Sequence, residues 1–270
     1  METVRSLEER REKQMTEDHV LYHLENHVAR ITINRESQRN AITMEAIALF
    51  LTYLDQAEAD ESVRAILITG AGEKAFCTGA QLGDGLSAEG QKAFWDYARL
   101  LKRIAAFPKP TVARVKGFCL AGGMGFMLAC DIVVASENSR FGTPEVNVGL
   151  WPMMIGALIF RNVARKKAME MILLGERLSA REALEMGLVT RIAPDDRLEE
   201  TVGNILKNLA AKSPIGIRIG KEAFYEASSM PFEAALDFLS QKLPAVASTE
   251  DAREGIMAFI EKRPPTFTGK

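Results

Sequence analysis

The segment TVARVKGFCLAGGMGFMLACDIVVA, residues Thr111–Ala135, runs from one apolar stretch to another through glycine-rich backbone. Pro108 and Pro110 introduce the first stretch, and Thr111–Val115 reads as a strand. Gly122–Cys130 can form a helix, and Asp131–Ala135 reads as a short strand apolar on both faces. Strand, helix and strand within 25 residues point to an α/β layer fold.

The same grammar extends upstream. Ala65–Thr69 (AILIT) is a second buried strand, and Gln91–Ala106 is helical. Met44–Ala59 places Ile47, Phe50, Leu51 and Leu54 on one helix face. Val20–Leu24 and Val28–Ile33 alternate around Glu25-Asn26, which predicts a hairpin with Ile31 and Ile33 facing the core. Hairpin signals mixed with helix crossovers argue against a purely doubly wound sheet. Phe141 opens another short extended segment.

Beyond about residue 160 helices dominate. Ala164–Leu174 is helical, and Ser179-Ala180-Arg181-Glu182 is a capping box for a short helix ending at Gly187. After a last strand at Val189–Ile192, helical patterns fill Leu198–Lys212, Gly216–Glu226, Pro231–Leu243 and Ser248–Lys262. These residues are too thin to hold a core and are expected to pack on the first part or on a neighbouring subunit.

The chain has 270 residues, 34 basic and 36 acidic side chains, a net charge of −2 and 47% hydrophobic residues. That suits one large domain or two small ones and excludes global disorder. The charge balance argues against a nucleic-acid partner. The longest uncharged stretches, Gly117–Cys130 and Val146–Phe160, are shorter than the roughly 18 residues of a membrane span, so no membrane partner is expected. Cys77, Cys119 and Cys130 are odd in number and lie in apolar surroundings, as reduced core residues would. The first 18 residues carry Glu2, Glu8, Glu9, Glu12, Glu17 and Asp18. Transit peptides avoid acids, so a solvated arm on a cytoplasmic protein is expected.

Three stretches can carry chemistry. Ala75–Leu82 (AFCTGAQL) follows the strand at 65–69 and reads as an ordinary glycine loop or as backbone that a ligand approaches closely. Lys116–Phe126 leads from a strand into a helix N-terminus, which suits an anion or a developing oxyanion, or simply close strand–helix packing. It is no dinucleotide fingerprint, because Leu128 stands where the last glycine would be, and the Gly70–Lys74 turn lacks the residues of a P-loop. In the third stretch, Phe141–Pro152, Glu145 lies beside an apolar run with Trp151, Met153 and Met154. It reads as a surface or capping residue, or as a carboxylate whose raised pKa lets it move protons.

In order and spacing these stretches resemble the crotonase superfamily, the enoyl-CoA hydratase/isomerase family. Ile31–Arg35 with Asn40-Ala41, Lys109–Ala113, Cys130-Asp131 and Ala258–Arg263 add to the likeness, which covers about residues 19–268. The resemblance implies a spiral of ββα units over residues 19–197, after the charged arm 1–18. Residues 198–270 would then be a helical region packing on the core and on neighbouring subunits of a homotrimer or a dimer of trimers. It implies an acyl-CoA thioester as substrate, with coenzyme A as part of it and no other cofactor. The N–H groups of Ala80 and Gly122 would hold the thioester oxygen, and Glu145 would be the acid/base. Gly125 stands where two-acid hydratases carry their other glutamate. Hydration and double-bond isomerisation of an enoyl-CoA remain close. The resemblance as a whole favours a hydratase, with Asp84 or Glu89 expected near enough to supply the missing acid, while Gly125 favours one-base isomerisation or other enolate chemistry, such as hydrolysis or decarboxylation. Gly125 is also expected to enlarge the acyl pocket. Ala41, Gln81, Leu82 and Gly83 would line the coenzyme A channel, Gln81 replacing the family's usual Asp. Trp151, Met153 and Met154 would shape the acyl pocket or pack in the core, and Phe259 and Lys262 would reach the nucleotide end.

Other classes remain as alternatives. A non-catalytic or RNA-binding member of the fold is opposed by the near-neutral charge and the lack of a long basic stripe. A nicotinamide oxidoreductase is opposed by the broken glycine fingerprint. His19, His23 and His27 are spaced like metal ligands on a helix, but the hairpin breaks that face, and no metal site is expected.

Overall fold

The continuous apolar runs become strands covered on both faces. A computed structural model describes residues 18–80 and 87–270. Strands β1 (Val20–Glu25) and β2 (Val28–Ile33) form the hairpin. Glu25 pairs with Val28, so the turn is Asn26-His27, one residue later than the sequence suggested. Both turn residues adopt left-handed φ, 50° and 66°. A two-residue turn that matches the strand twist needs this, and asparagine tolerates it. From β2 the sheet continues in parallel through β3 (Ala65–Gly70), β5 (Thr111–Val115), β7 (Ile132–Ser136) and β10 (Arg191–Ala193), six strands in all.

A second sheet of four short strands takes up the chain as it leaves the first. Its order is β4 (Ala75–Cys77), β6 (Phe118–Leu120), β8 (Arg140–Gly142), β9 (Leu178–Ser179). Helices α1 (Met44–Ala59), α2 (Ala88–Ala105), α3 (Gly122–Ala129), α4 (Met153–Asn162), α5 (Arg165–Leu174) and α6 (Ala180–Glu185) complete the first part. The chain therefore repeats longer strand, short strand and helix as β3-β4-α2, β5-β6-α3 and β7-β8-α4. This is the expected ββα spiral. The sequence pattern missed α4, because its polar residues, Arg161 and Asn162, come only at the end and leave no contrast of faces.

Strand β3 shows why its sequence is a continuous apolar run. Ile66 and Ile68 join the main core with Ile31, Phe50 and Phe126. Ala65 and Leu67 face the other way, against Val112, Val134 and the apolar stripe Leu198, Val202 and Leu206 of α7 (Leu198–Ala210). The C-terminal helical region thus divides. Helix α7 is a layer on the sheet, whereas α8 (Pro214–Ala227), α9 (Phe232–Ala247) and α10 (Glu250–Glu261) bury few side chains. Phe224, Phe232, Leu243 and Phe259 remain exposed there. Among the described residues no helix is long and apolar enough to cross a membrane.

Several sequence blocks prove to be pins. Lys109 Nζ donates to the carbonyls of Ala57 and Asp60 at 2.7 and 2.6 Å. Asp131 Oδ2 accepts from the backbone N and hydroxyl of Thr111, and it pairs with Lys221 of α8. Asn40, fully buried with φ 57°, donates to the carbonyls of Ala71 and Ala75 at 2.9 and 2.7 Å and accepts from Arg35 N at 2.9 Å. Replacing it by alanine strands those buried partners and puts a poorly suited residue in left-handed backbone. Asn40→Ala is expected to lower the unfolding free energy by about 3 kcal/mol, measured by urea denaturation, whereas a change below about 0.5 kcal/mol would refute the pinning role.

Candidate active site

Two backbone turns meet at the end of the short sheet. After β4 the chain turns at Gly79, whose φ is 120° and whose carbonyl accepts from Ile42 N at 2.9 Å. After β6 it turns at Ala121, with φ 49° and ψ −134°, a conformation a side chain rarely adopts. Ala121 N bonds Gly142 O and Ala121 O accepts from Met124 N, each at 2.9 Å, so neighbours on both sides hold the strained residue. Gly122 then opens α3. A Cβ on Gly122 would stand 3.5 Å from Ala80 N, and one on Gly79 would stand 3.8 Å from Gly122 N. Neither the Ala80 nor the Gly122 amide donates to an acceptor among the described residues. Two free N–H groups therefore lie close together, one at a helix N-terminus, an arrangement that can hold a negative oxygen.

Both residues line a cavity of about 360 Å³. Its walls are mainly apolar, from Phe94 and from Leu150, Trp151, Met153, Met154 and Ile155. Glu145 enters it from a 3-10 segment, Pro144–Val148. Its Oε2 is buried without a hydrogen-bond partner among the described residues, as is the hydroxyl of neighbouring Thr143. Burial pushes the Glu145 carboxyl above its usual range. A carboxylate with one oxygen buried and unpartnered in apolar surroundings is a stronger base than a solvated one, which suits it to proton transfer.

The Enoyl-CoA hydratase/isomerase family model matches residues 23–270. The chain belongs to this family. It is 34% identical to the 2,3-dehydroadipyl-CoA hydratase of Escherichia coli, with 89% of this chain and 94% of that one aligned. It is 33% identical to the 1,2-epoxyphenylacetyl-CoA isomerase of the same organism, covering 93% and 98%. The crystal structure of an enoyl-CoA hydratase from Bacillus anthracis superposes with a TM-score of 0.89 at 32% identity, over 93% of this chain and all of that one. The fold is the crotonase fold, and the chain is an enzyme of the enoyl-CoA hydratase/isomerase family.

Within this crotonase framework Gly125 stands apart from the cavity wall among the described residues. It is buried in α3. A Cβ there would overlap the hydroxyl of Tyr97 and come within 3.0 Å of Ile155 Cγ2 and Leu101 Cδ2. The missing side chain makes room for other side chains. Tyr97, which the sequence reading did not single out, is 1% exposed and lines the cavity, with its hydroxyl bonded to the carbonyl of Gly122. In the sequence it is one more large residue on the buried face of α2, with Ala93, Leu100, Leu101 and Ile104. Only the spatial pairing with a side-chainless position 125 marks it.

Trp151 and Met154 line the cavity, together with Met153. Ala41 lies next to Ile42, which bridges Ala80, at the rim of the first turn. Gln81, Leu82, Gly83 and Asp84 lie outside the described residues, as does the side chain of Glu89. Phe259, 85% exposed, and Lys262 at the end of α10 are not part of the cavity wall. The three histidines have separate neighbours: His19 contacts Thr43, His23 approaches Glu25 and His27 contacts Ser62 O.

Two expectations follow from this geometry. A Cβ on Gly123 would run into the backbone carbonyl of Cys77, which cannot swing away. Gly123→Ala should therefore cost about 3 kcal/mol of stability or more in denaturant unfolding. Glu145 has its carboxyl pKa raised by folding, so it binds its proton more tightly in the native state and the native state loses stability as pH rises through that window. Glu145→Gln, neutral throughout, should raise the melting temperature at pH 7 and give no gain at pH 4. A gain at pH 4 equal to that at pH 7 would contradict the burial of the charge.

Proposed function

We propose that the protein processes an acyl-CoA thioester by way of an enolate. Glu145 takes a proton next to the activated acyl group, and the N–H groups of Ala80 and Gly122 hold the thioester oxygen as its charge develops. One such donor contributes about 3–4 kcal/mol to lowering a barrier of this type. The observation that carries the reading is the juxtaposition, in a single apolar cavity, of two amides and a carboxylate oxygen that find no partner among the described residues. No resident cofactor or metal is required, because both functions come from the chain itself.

Among the described residues Glu145 is the one carboxylate on the cavity wall. A single carboxylate can carry a proton from one carbon to another, so the reading favours double-bond isomerisation. Hydration, which positions a water between two acids, would need a further acid from residues 81–86 or from Glu89. The exposed apolar residues of α8–α10, including Phe224, Phe232 and Phe259, support a homotrimer or a dimer of trimers. Phe259 and Lys262 would then meet the nucleotide end of coenzyme A beside a neighbouring subunit.

The reading is tested with 3-enoyl-CoA and 2-enoyl-CoA. Isomerisation gives a rise in conjugated absorbance from the first substrate, whereas water addition shows as its loss from the second with a hydroxyacyl-CoA product. The expected result is isomerisation, reduced about 10²–10⁴-fold in Glu145→Gln. Turnover unchanged in that variant would overturn the role of Glu145. Failure to bind or turn over either thioester would instead favour a non-catalytic member of the fold.

A further inference from the structure

We propose that Tyr97 is a positioning residue of the oxyanion pocket, its hydroxyl fixing the Gly122 carbonyl, and so the peptide that follows the Gly122 donor, in the space that Gly125 leaves open. This rests on the reading of the cavity as a thioester site and deepens it. Gly122 has no side chain to restrict its backbone, and the residue before it, Ala121, is strained at φ 49°. The Ala121–Gly122 peptide, which carries the free amide, is held through Ala121 O by Met124 N at 2.9 Å, so the freedom that remains is rotation about the Gly122 Cα, between that peptide and the next. The only side chain bonded to Gly122 among the described residues is Tyr97, which donates its hydroxyl proton to the Gly122 carbonyl.

The tyrosine is itself held firmly. Its ring packs edge-on against Phe126 at 5.8 Å between centroids. Leu101 and Ile155 close on the hydroxyl end through the gap at Gly125. Burial, with Cys77, Cys119 and Glu145 nearby, pushes the phenol well above its usual range, so it stays protonated and remains a donor. It cannot serve as a second base. Its part is to hold the Gly122–Gly123 peptide, on the far side of the Gly122 Cα from the donor N–H, while Glu145 moves the proton.

Tyr97→Phe removes the hydroxyl and keeps the ring. The probe is cinnamoyl-CoA, whose conjugated chromophore moves to longer wavelength when hydrogen-bond donors polarise its thioester carbonyl. The wild-type protein is expected to bind it with a red shift. Tyr97→Phe should bind it with similar affinity, a smaller red shift, and a kcat on 3-enoyl-CoA at least about ten-fold lower at nearly unchanged KM, as expected when an interaction is stronger in the transition state. Gly125→Ala is a second, independent variant. It keeps the tyrosine but crowds its hydroxyl off Gly122, and the same losses are expected. Either variant that folds, by circular dichroism, and retains the wild-type red shift and kcat overturns the inference. If the wild-type protein neither shifts cinnamoyl-CoA nor turns over a thioester, the underlying reading of the cavity fails; if it does both and the variants match it, only the role of Tyr97 falls.

Discussion

The contact between the Gly79-Ala80 turn and the first turn of α3 is the constraint on which the site depends. The two turns approach this closely because Gly79, Gly122 and Gly123 carry no side chains of their own. Each helps close the gap: Gly123 lets α3 lie on the carbonyl of Cys77, Gly79 supplies a positive φ, and Gly122 leaves the approach to Ala80 N open. The ββα repeat serves this contact. Strands β4 and β6 pair in parallel in the short sheet, so the turns that follow them emerge side by side. The larger sheet, buried on both faces, fixes where those strands leave it.

The electrostatics follow from the same packing. Apolar walls leave Oε2 of the Glu145 carboxylate without a partner among the described residues, and burial outweighs the one backbone hydrogen bond the carboxylate receives, so the charged form is unfavourable to the fold. A fold that keeps it there accepts some instability at a position suited to proton transfer. Tyr97 shows the complementary behaviour. It is buried more deeply than half-buried Glu145 but is satisfied by a carbonyl, so it stays neutral and stabilises backbone geometry. Two polar groups facing one cavity are thus pushed toward different tasks by what surrounds them.

Much of the fold is legible in the sequence because burial on two faces leaves an unmistakable mark. Ala65–Thr69, Thr111–Val115 and Asp131–Ala135 are mainly apolar at alternate and intervening positions alike, and all three match interior strands of the larger sheet. The capping box at Ser179 and the face of Met44–Ala59 are local signals and appear in the structure as such. Helix α4 was hidden because an almost uniformly apolar helix has no periodic contrast. At the site, Glu145 was visible as a carboxylate in an apolar run. The two amides have no side-chain signature and came only through family resemblance. Tyr97 and the filled space at Gly125 were illegible, because each depends on a contact between helices 25 or more residues apart in the chain. A missing side chain reads as empty room until its neighbours are known.

A crystal structure of the protein with a saturated acyl-CoA, which binds but has no double bond to shift or hydrate, tests the central claim most directly. The thioester oxygen is predicted to lie within about 3.1 Å of both Ala80 N and Gly122 N, with the Glu145 carboxylate facing the adjacent carbons. A thioester bound elsewhere, or one whose oxygen reaches neither amide, would contradict it.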